Sequence, residues 1–203
     1  MIRTAVLVSG DGIRLQTILD SMYFGEIPDF ELAAVICTDE NETCLRRCKN
    51  AGAERIVVDP ANFPTKLSYS TAIANKLQDM DVELVVLAGY DMPLGTIART
   101  FKNRIIGVYP SLIPAFEDAE DPVRSAMERG CRVTGATSYF ANAEGKIGAV
   151  IGQQPVEIRQ SDEPWELAQR ILEEAEWKLL AKAVALYCGG RLELRGDRVL
   201  IKE

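Results

Sequence analysis

The 203-residue sequence contains no histidine. The side chain most often used to move protons near neutral pH is therefore missing, and any acid–base chemistry falls to carboxylates, lysine, tyrosine or cysteine. No run approaches the roughly 20 apolar residues needed to span a bilayer. The opening MIRTAVLVSG runs directly into a glycine turn, unlike the apolar stretch of a secretory signal. A soluble, cytoplasmic chain with no membrane contact is expected. Basic charge is also short: 23 Lys and Arg against 30 Asp and Glu give a formal net charge of −7. Displacing counterions from a phosphate backbone needs the opposite balance, which argues against a nucleic-acid partner. No CxxC pair occurs, and the five cysteines (Cys37, Cys44, Cys48, Cys131 and Cys188) lack the spacing of a disulfide framework. Cys44 and Cys48 stand four apart on a predicted helix with Cys37 upstream, but no fourth soft ligand accompanies them. They read as free, buried thiols, and no metal is expected.

With 47% apolar residues, the chain can bury one substantial core, so residues 1–203 are read as a single domain. The segments TAVLVS (4–9), ELAAVIC (31–37), RIVVD (55–59) and ELVVLAG (83–89) are apolar without alternation, as strands covered on both faces must be. Helical patterns at 13–22, 42–51 and 65–79 separate them, and strand–helix alternation implies a right-handed, mostly parallel sheet with helices on both faces. Further strands are expected at 104–109, 132–140 and 147–158. The segment SDEPWELAQRILEEAEWKLLAKAVALYCGG reads as one long helix, capped by its serine or aspartate and ended by Gly-Gly. RLELRGDRVLI then alternates about Gly-Asp as a hairpin.

Three segments carry candidate chemistry. In VSGDGIRLQTILD, a glycine turn leads from the first strand into a helix, aiming backbone N–H groups and the positive helix end at an anion such as a phosphate. It has neither the third glycine of a dinucleotide fingerprint nor the Gly-Lys-Ser/Thr of a Walker loop. Asp11 opposes an anion there, whereas Arg14 could reach one. LAGYDMPLG (87–95) lies at a strand end where open α/β sheets place ligands. Its alternative reading is a strand-to-helix turn, with Pro93 at the first helical position and Asp91 as a cap. The third segment, IIGVYPSLIPAFEDAEDP, has a Pro-Ser-x-x-Pro turn followed by four acidic residues in five from Glu117 to Asp121. Like charges so close together favour a solvated loop.

In order and at suitable spacing, SGDGIRLQTILD, the VVLAG strand end, the PSLIP turn, GATSYF and GAVIGQ resemble the phosphoribosylglycinamide formyltransferase family. The EEAEWKLLAKAV helix and final hairpin resemble clostridial-type versions. The resemblance implies a Rossmann-like formyltransferase fold closed by a long C-terminal helix and a β-hairpin. It also implies a phosphorylated substrate, glycinamide ribonucleotide, on the glycine loop, and 10-formyltetrahydrofolate as cofactor beside the loop that follows VLAG. A monomer or homodimer is implied. The substrate-binding positions correspond to Gly10, Asp11, Gly12, Ile13 and Arg14, with Arg14 standing where the family has Asn. A substrate-contacting glutamate of the family falls at Glu176, with Glu173 and Glu174 as alternative registers.

At the catalytic positions this chain departs from the pattern it resembles. Where the family reads Asn-x-His-Pro-Ser-Leu, Gly107 and Tyr109 replace the Asn and His ahead of an intact Pro110–Leu112. The family aspartate corresponds to Lys146. On the cofactor side, Phe-Met-Arg is replaced by Tyr90, Asp91 and Met92, and the acidic run would repel an anionic folate. The resemblance thus implies a homologue in which formyl transfer is absent or strongly impaired. A phosphate-binding or regulatory protein, or an enzyme repurposed around Tyr109, Lys146 and Asp91, stands as the alternative.

Overall fold

Apolar runs without alternation become strands when helices cover both faces of a sheet, since no position along them then meets water. In the computed structural model, which describes residues 1–202, five such runs form β1 (Ile2–Val8), β2 (Phe30–Cys37), β3 (Arg55–Val57), β4 (Leu84–Leu87) and β5 (Ile105–Tyr109). Glu203, the last residue of the expected domain, lies outside the described residues. The five strands pair in parallel. β6 (Val133–Ala141) and β7 (Ile147–Glu157) then extend the sheet antiparallel, giving the order β3-β2-β1-β4-β5-β6-β7. A separate hairpin, β8 (Leu192–Arg195) with β9 (Arg198–Ile201), follows the last helix, as expected.

The helices are α1 (Ile13–Tyr23), α2 (Glu42–Ala51), α3 (Lys66–Asp79), α4 (Thr96–Thr100), α5 (Pro122–Glu128), α6 (Pro164–Ile171) and α7 (Trp177–Cys188). The two-residue strand period divides β1 between two cores. Val6 and Val8 face Leu15 and Ile18 of α1, Cys44 and Cys48 of α2, and Leu180 and Val184 of α7. Ala5 and Leu7 face Ile73 and Leu77 of α3 and Ile97 of α4. Burial of each large aliphatic side chain contributes about 1.5–3 kcal/mol, so these two layers fix the sheet. A third core joins α5, α6, β6 and β7 through Ala126, Ala136, Val156, Leu167 and Ile171.

Two local expectations need correction. Pro93 does not begin a helix: α4 starts at Thr96 after Gly95, whose φ is 48°. A Cβ on Gly95 would meet Ser70 Oγ at 2.5 Å, and that hydroxyl accepts from Thr96 N at 3.1 Å. The cap therefore comes from α3, and Asp91 caps nothing. The long C-terminal helix runs from Pro164 to Cys188 but is widened by a π-helical turn at Leu172–Glu176. Neither Ser161 nor Asp162 caps it. Glu163 holds the N-cap, its N–H donating to Glu166 Oε2 at 3.0 Å. Asp162 instead pairs with Arg170.

Candidate active site

The chain passes from β1 to β2 and β3 on one side, then returns to place β4 on the other side of β1. Such a reversal leaves a crevice beyond the strands' carboxyl ends, where ligands of open α/β sheets bind. Here that crevice is bridged by the protein itself. Ser9, after β1, donates its N–H to Gly89 O at 3.3 Å, and its Oγ donates to the Asp91 carboxylate. Asp91 N returns a bond to Ser9 Oγ at 3.2 Å.

The glycine loop leads into α1 as its sequence suggested, with Gly12 at φ 69° as the N-cap residue. Two of its N–H groups already hold carboxylates. Gly10 N donates to Asp39 Oδ2 at 3.1 Å, and Ile13 N donates to Asp11 Oδ1 at 3.1 Å. The amides of Asp11, Gly12 and Arg14 donate to no acceptor among the described residues. Asp39 carries no mark in the local pattern beyond its place just past a strand end.

Arg14 and Glu176, expected to meet the same substrate, meet each other. Arg14 Nε and Nη2 form a two-pronged bond with the Glu176 carboxylate, the Nη2–Oε1 distance being 3.1 Å. Glu176 is 2% exposed, whereas Glu173 and Glu174 face solvent. The π turn carries Glu176, a backbone irregularity often found where a helix must aim a side chain.

Along β5, Gly107 pairs with Tyr139 of β6, and a Cβ added to it would lie 2.8 Å from Tyr139 Oη and 2.9 Å from Cζ. The volume next to Gly107 is thus taken by a phenol ring. Tyr109 directs its hydroxyl at three carbonyl oxygens of the acidic loop: Phe116 at 3.0 Å, and Glu117 and Ala119 at 3.2 Å. A phenol has one proton to donate, so these carbonyls share it. Burial raises the Tyr109 pKa, and the Asp118 and Glu117 carboxylates push it further up, so the phenol stays protonated at neutral pH. The adjoining turn is fixed by β6 and β7: Thr137 Oγ1 donates to Ser111 O at 2.7 Å and accepts from Ile113 N at 3.1 Å, and Gln153 Nε2 donates to Ile113 O at 2.9 Å. These clamps lie in GATSYF and GAVIGQ, whose family pattern was visible while their partners were not.

The three positions beside β4 diverge. Tyr90 and Met92 pack against the core formed by α3 and α4, and burial pushes the Tyr90 phenol well above its ordinary range. Asp91 turns to Ser9. Lys146 is exposed in the β6–β7 turn, where its N–H donates to Asn142 Oδ1 at 2.9 Å. That turn also packs on Leu94, since a Cβ on Gly145 would lie 3.0 Å from Leu94 Cβ. The Tyr109 hydroxyl and the Asp91 carboxylate are thus engaged elsewhere, the exposed Lys146 ammonium pairs with neither, and no two of the three are hydrogen-bonded together. Two cavities of about 460 and 320 Å³ lie against α7. Neither is lined by residues 9–14, 88–92 or 107–109.

The chain matches the formyl transferase family over residues 2–184. It is 34% identical to the phosphoribosylglycinamide formyltransferase of Haemophilus influenzae over 198 residues, covering 97% of this chain and 92% of that protein. Its structure superposes on glycinamide ribonucleotide transformylase 1 from Symbiobacterium toebii with a TM-score of 0.94 at 38% identity, over 100% of this chain and 95% of that one. For the Geobacillus kaustophilus transformylase 1, the TM-score is 0.86 at 27% identity, over 93% and 100% of the respective chains. The sheet order, the glycine turn opening α1 and the match along nearly the whole length agree: the chain belongs to the formyl transferase family.

Proposed function

We propose that this chain is a homologue of phosphoribosylglycinamide formyltransferase whose own formyl transfer is absent or strongly impaired. One observation carries the reading: Tyr139 fills the space at Gly107, while the Tyr109 hydroxyl is committed to the carbonyls of residues 116–119. A general base contributes about 10²- to 10⁴-fold, and an oxyanion donor about 10²- to 10³-fold, to reactions of this type. These factors do not multiply, but loss of either is enough to cripple turnover. The residues beside β4 fit a folate poorly: Tyr90 and Met92 are half-buried against the core, Leu94 lies under the Gly145 turn, and the loop held by Tyr109 is acidic.

A second reading, phosphate binding on the glycine loop, is favoured by the free amides of Asp11, Gly12 and Arg14 at the start of α1. An arriving phosphate would meet Asp11 and Asp39 there, so weak binding is expected. We place the protein in the cytoplasm, consistent with its free thiols. The test is a steady-state assay with glycinamide ribonucleotide and 10-formyltetrahydrofolate beside the Haemophilus influenzae enzyme. The expected rate is at least ~100-fold lower, and a rate within about tenfold refutes the main reading. Thermal shift with glycinamide ribonucleotide and inorganic phosphate addresses the second reading, which fails if millimolar ligand gives no stabilisation.

A further inference from the structure

Beneath the glycine loop lies a cluster of thiols that the candidate site does not use. Cys37 at the end of β2 and Cys44 in the first turn of α2 hold their sulfurs 3.3 Å apart. Cys48 lies one turn further along α2, and all three are at most 2% exposed. No three described Cys, Asp or Glu side chains are placed to hold a metal ion. Arg55, at the start of β3, stands beside them with its side chain 7% exposed. Its Nη1 donates to Glu40 Oε2 at 3.0 Å and its Nη2 to Asp39 O at 2.8 Å. Its Nε is buried without an acceptor among the described residues. The strand register sets Arg55 opposite Val35, on the sheet face that Cys37 shares, and the cation opposes the upward push on the Cys37 thiol. A buried donor of this kind calls for an acceptor that a neutral thiol supplies poorly and an oxygen on sulfur supplies well.

The Cys44 sulfur lies directly under the loop above. A Cβ on Gly12 would lie 3.3 Å from Cys44 Sγ, and Asp39, two residues past Cys37, accepts the Gly10 N–H. We propose that Cys37 and Cys44 are a peroxide-sensitive dithiol, in which Arg55 Nε holds the oxidised Cys37 intermediate and disulfide formation draws Cys44 from beneath the glycine loop.

In the first step the Cys37 sulfur takes one oxygen from hydrogen peroxide. An S–O bond forms as the O–O bond breaks, and the other oxygen leaves as water with the thiol proton. The Cys44 sulfur then attacks the sulfenic sulfur, and the hydroxyl leaves with the Cys44 proton as a second water. Two thiols lose two electrons and two hydrogens while peroxide is reduced to two waters. The sulfurs must close by more than about 1 Å to reach the ~2.05 Å of a disulfide, a movement the packed Gly12 contact transmits upward. The hydrogen bond to Cys44 and burial push the Cys37 thiol well up, so the response is slow and follows sustained exposure. At 2% and 0% exposure the two sulfurs are closed to a bulky disulfide oxidant, and the much smaller peroxide is expected to reach them through local opening.

The test is to treat the folded full-length protein with hydrogen peroxide or with oxidised glutathione, alkylate the remaining thiols and map the peptides by mass spectrometry. Peroxide should give a Cys37–Cys44 cross-link, two hydrogens lighter and reversed by dithiothreitol; glutathione disulfide should not. Amide exchange at residues 10–16 should then quicken roughly tenfold. Cys131, half-buried and distant in sequence, serves as the internal control. Oxidation of Cys131 alone, with Cys37 and Cys44 still alkylatable, would overturn the proposal, and a cross-link with unchanged exchange would remove its link to the loop. Arg55→Lys, which keeps the charge without the Nε donor, should slow cross-linking at least ~fivefold, and an unchanged rate would refute the role of Arg55. Cys48→Ser should leave the cross-link in place, whereas its loss would point to a different sulfur pair. The wild-type peptide map stands even if a variant fails to fold.

Discussion

Gly107 and Tyr139 account for one another. With no side chain at 107, the hydroxyl end of the phenol occupies the space a Cβ there would need, and burial pushes its pKa up to about 12. Restoring an amide at this position therefore collides with the ring. Gly107→Asn alone is expected to cost about 1–3 kcal/mol in urea unfolding, the usual range for overpacking. Combined with Tyr139→Val, which clears the volume, it should recover at least half of that loss. Strictly additive costs would show that the two residues do not compete for one space. The glycine announced a missing side chain in the sequence, but not what replaced it. The answer depends on the register that sets Gly107 opposite Tyr139, and strand register between distant segments has no local pattern. Tyr109 is similar: its identity was legible, whereas its three carbonyl partners depend on how the acidic loop folds back.

Among elements, the junction of α1 with the π turn concentrates the polar energy of the candidate site. Arg14 and Glu176 come from opposite ends of the chain, and Glu176 is nearly inaccessible. Removing only the cation strands a buried carboxylate, so Arg14→Met should destabilise by up to ~3 kcal/mol, the partial exposure of Arg14 moderating the usual cost. Arg14→Met with Glu176→Leu should be less destabilising than Arg14→Met alone, as measured by denaturant midpoints. A double variant worse than the sum of the singles would mean the pair does more than satisfy itself. The parallel strands were legible because uninterrupted apolar runs leave few other folds. The start of α4 was not, because the hydroxyl that holds its first N–H is Ser70 of α3, supplied across space. The π turn escaped for a related reason: side-chain periodicity in LEEAE fits an ordinary helix, and no residue within it marks the wider turn.

For the whole molecule, the buried phenol and thiol groups set the direction of pH sensitivity. Burial pushes Tyr139 and Cys188 each up to about 12. An unfolded chain releases these protons near pH 10 and 9, so above that range the folded state binds more protons. The stabilisation is complete below about pH 9 and is lost as pH rises through about 12. Denaturation midpoints should accordingly hold from pH 7 to 9 and fall at pH 10 and 11, and Tyr139→Phe should blunt the fall. A midpoint level to pH 12 would contradict the burial of these groups. The absence of histidine also leaves no ordinary side chain titrating between pH 5 and 8, so the charge of −7 is nearly constant there. Ser9 and Asp91 tie the ends of the first and fourth strands together at the solvent-facing rim. Any molecule that enters there trades that bond for its own, and only a guest able to pair with both the hydroxyl and the carboxylate recovers what the exchange costs.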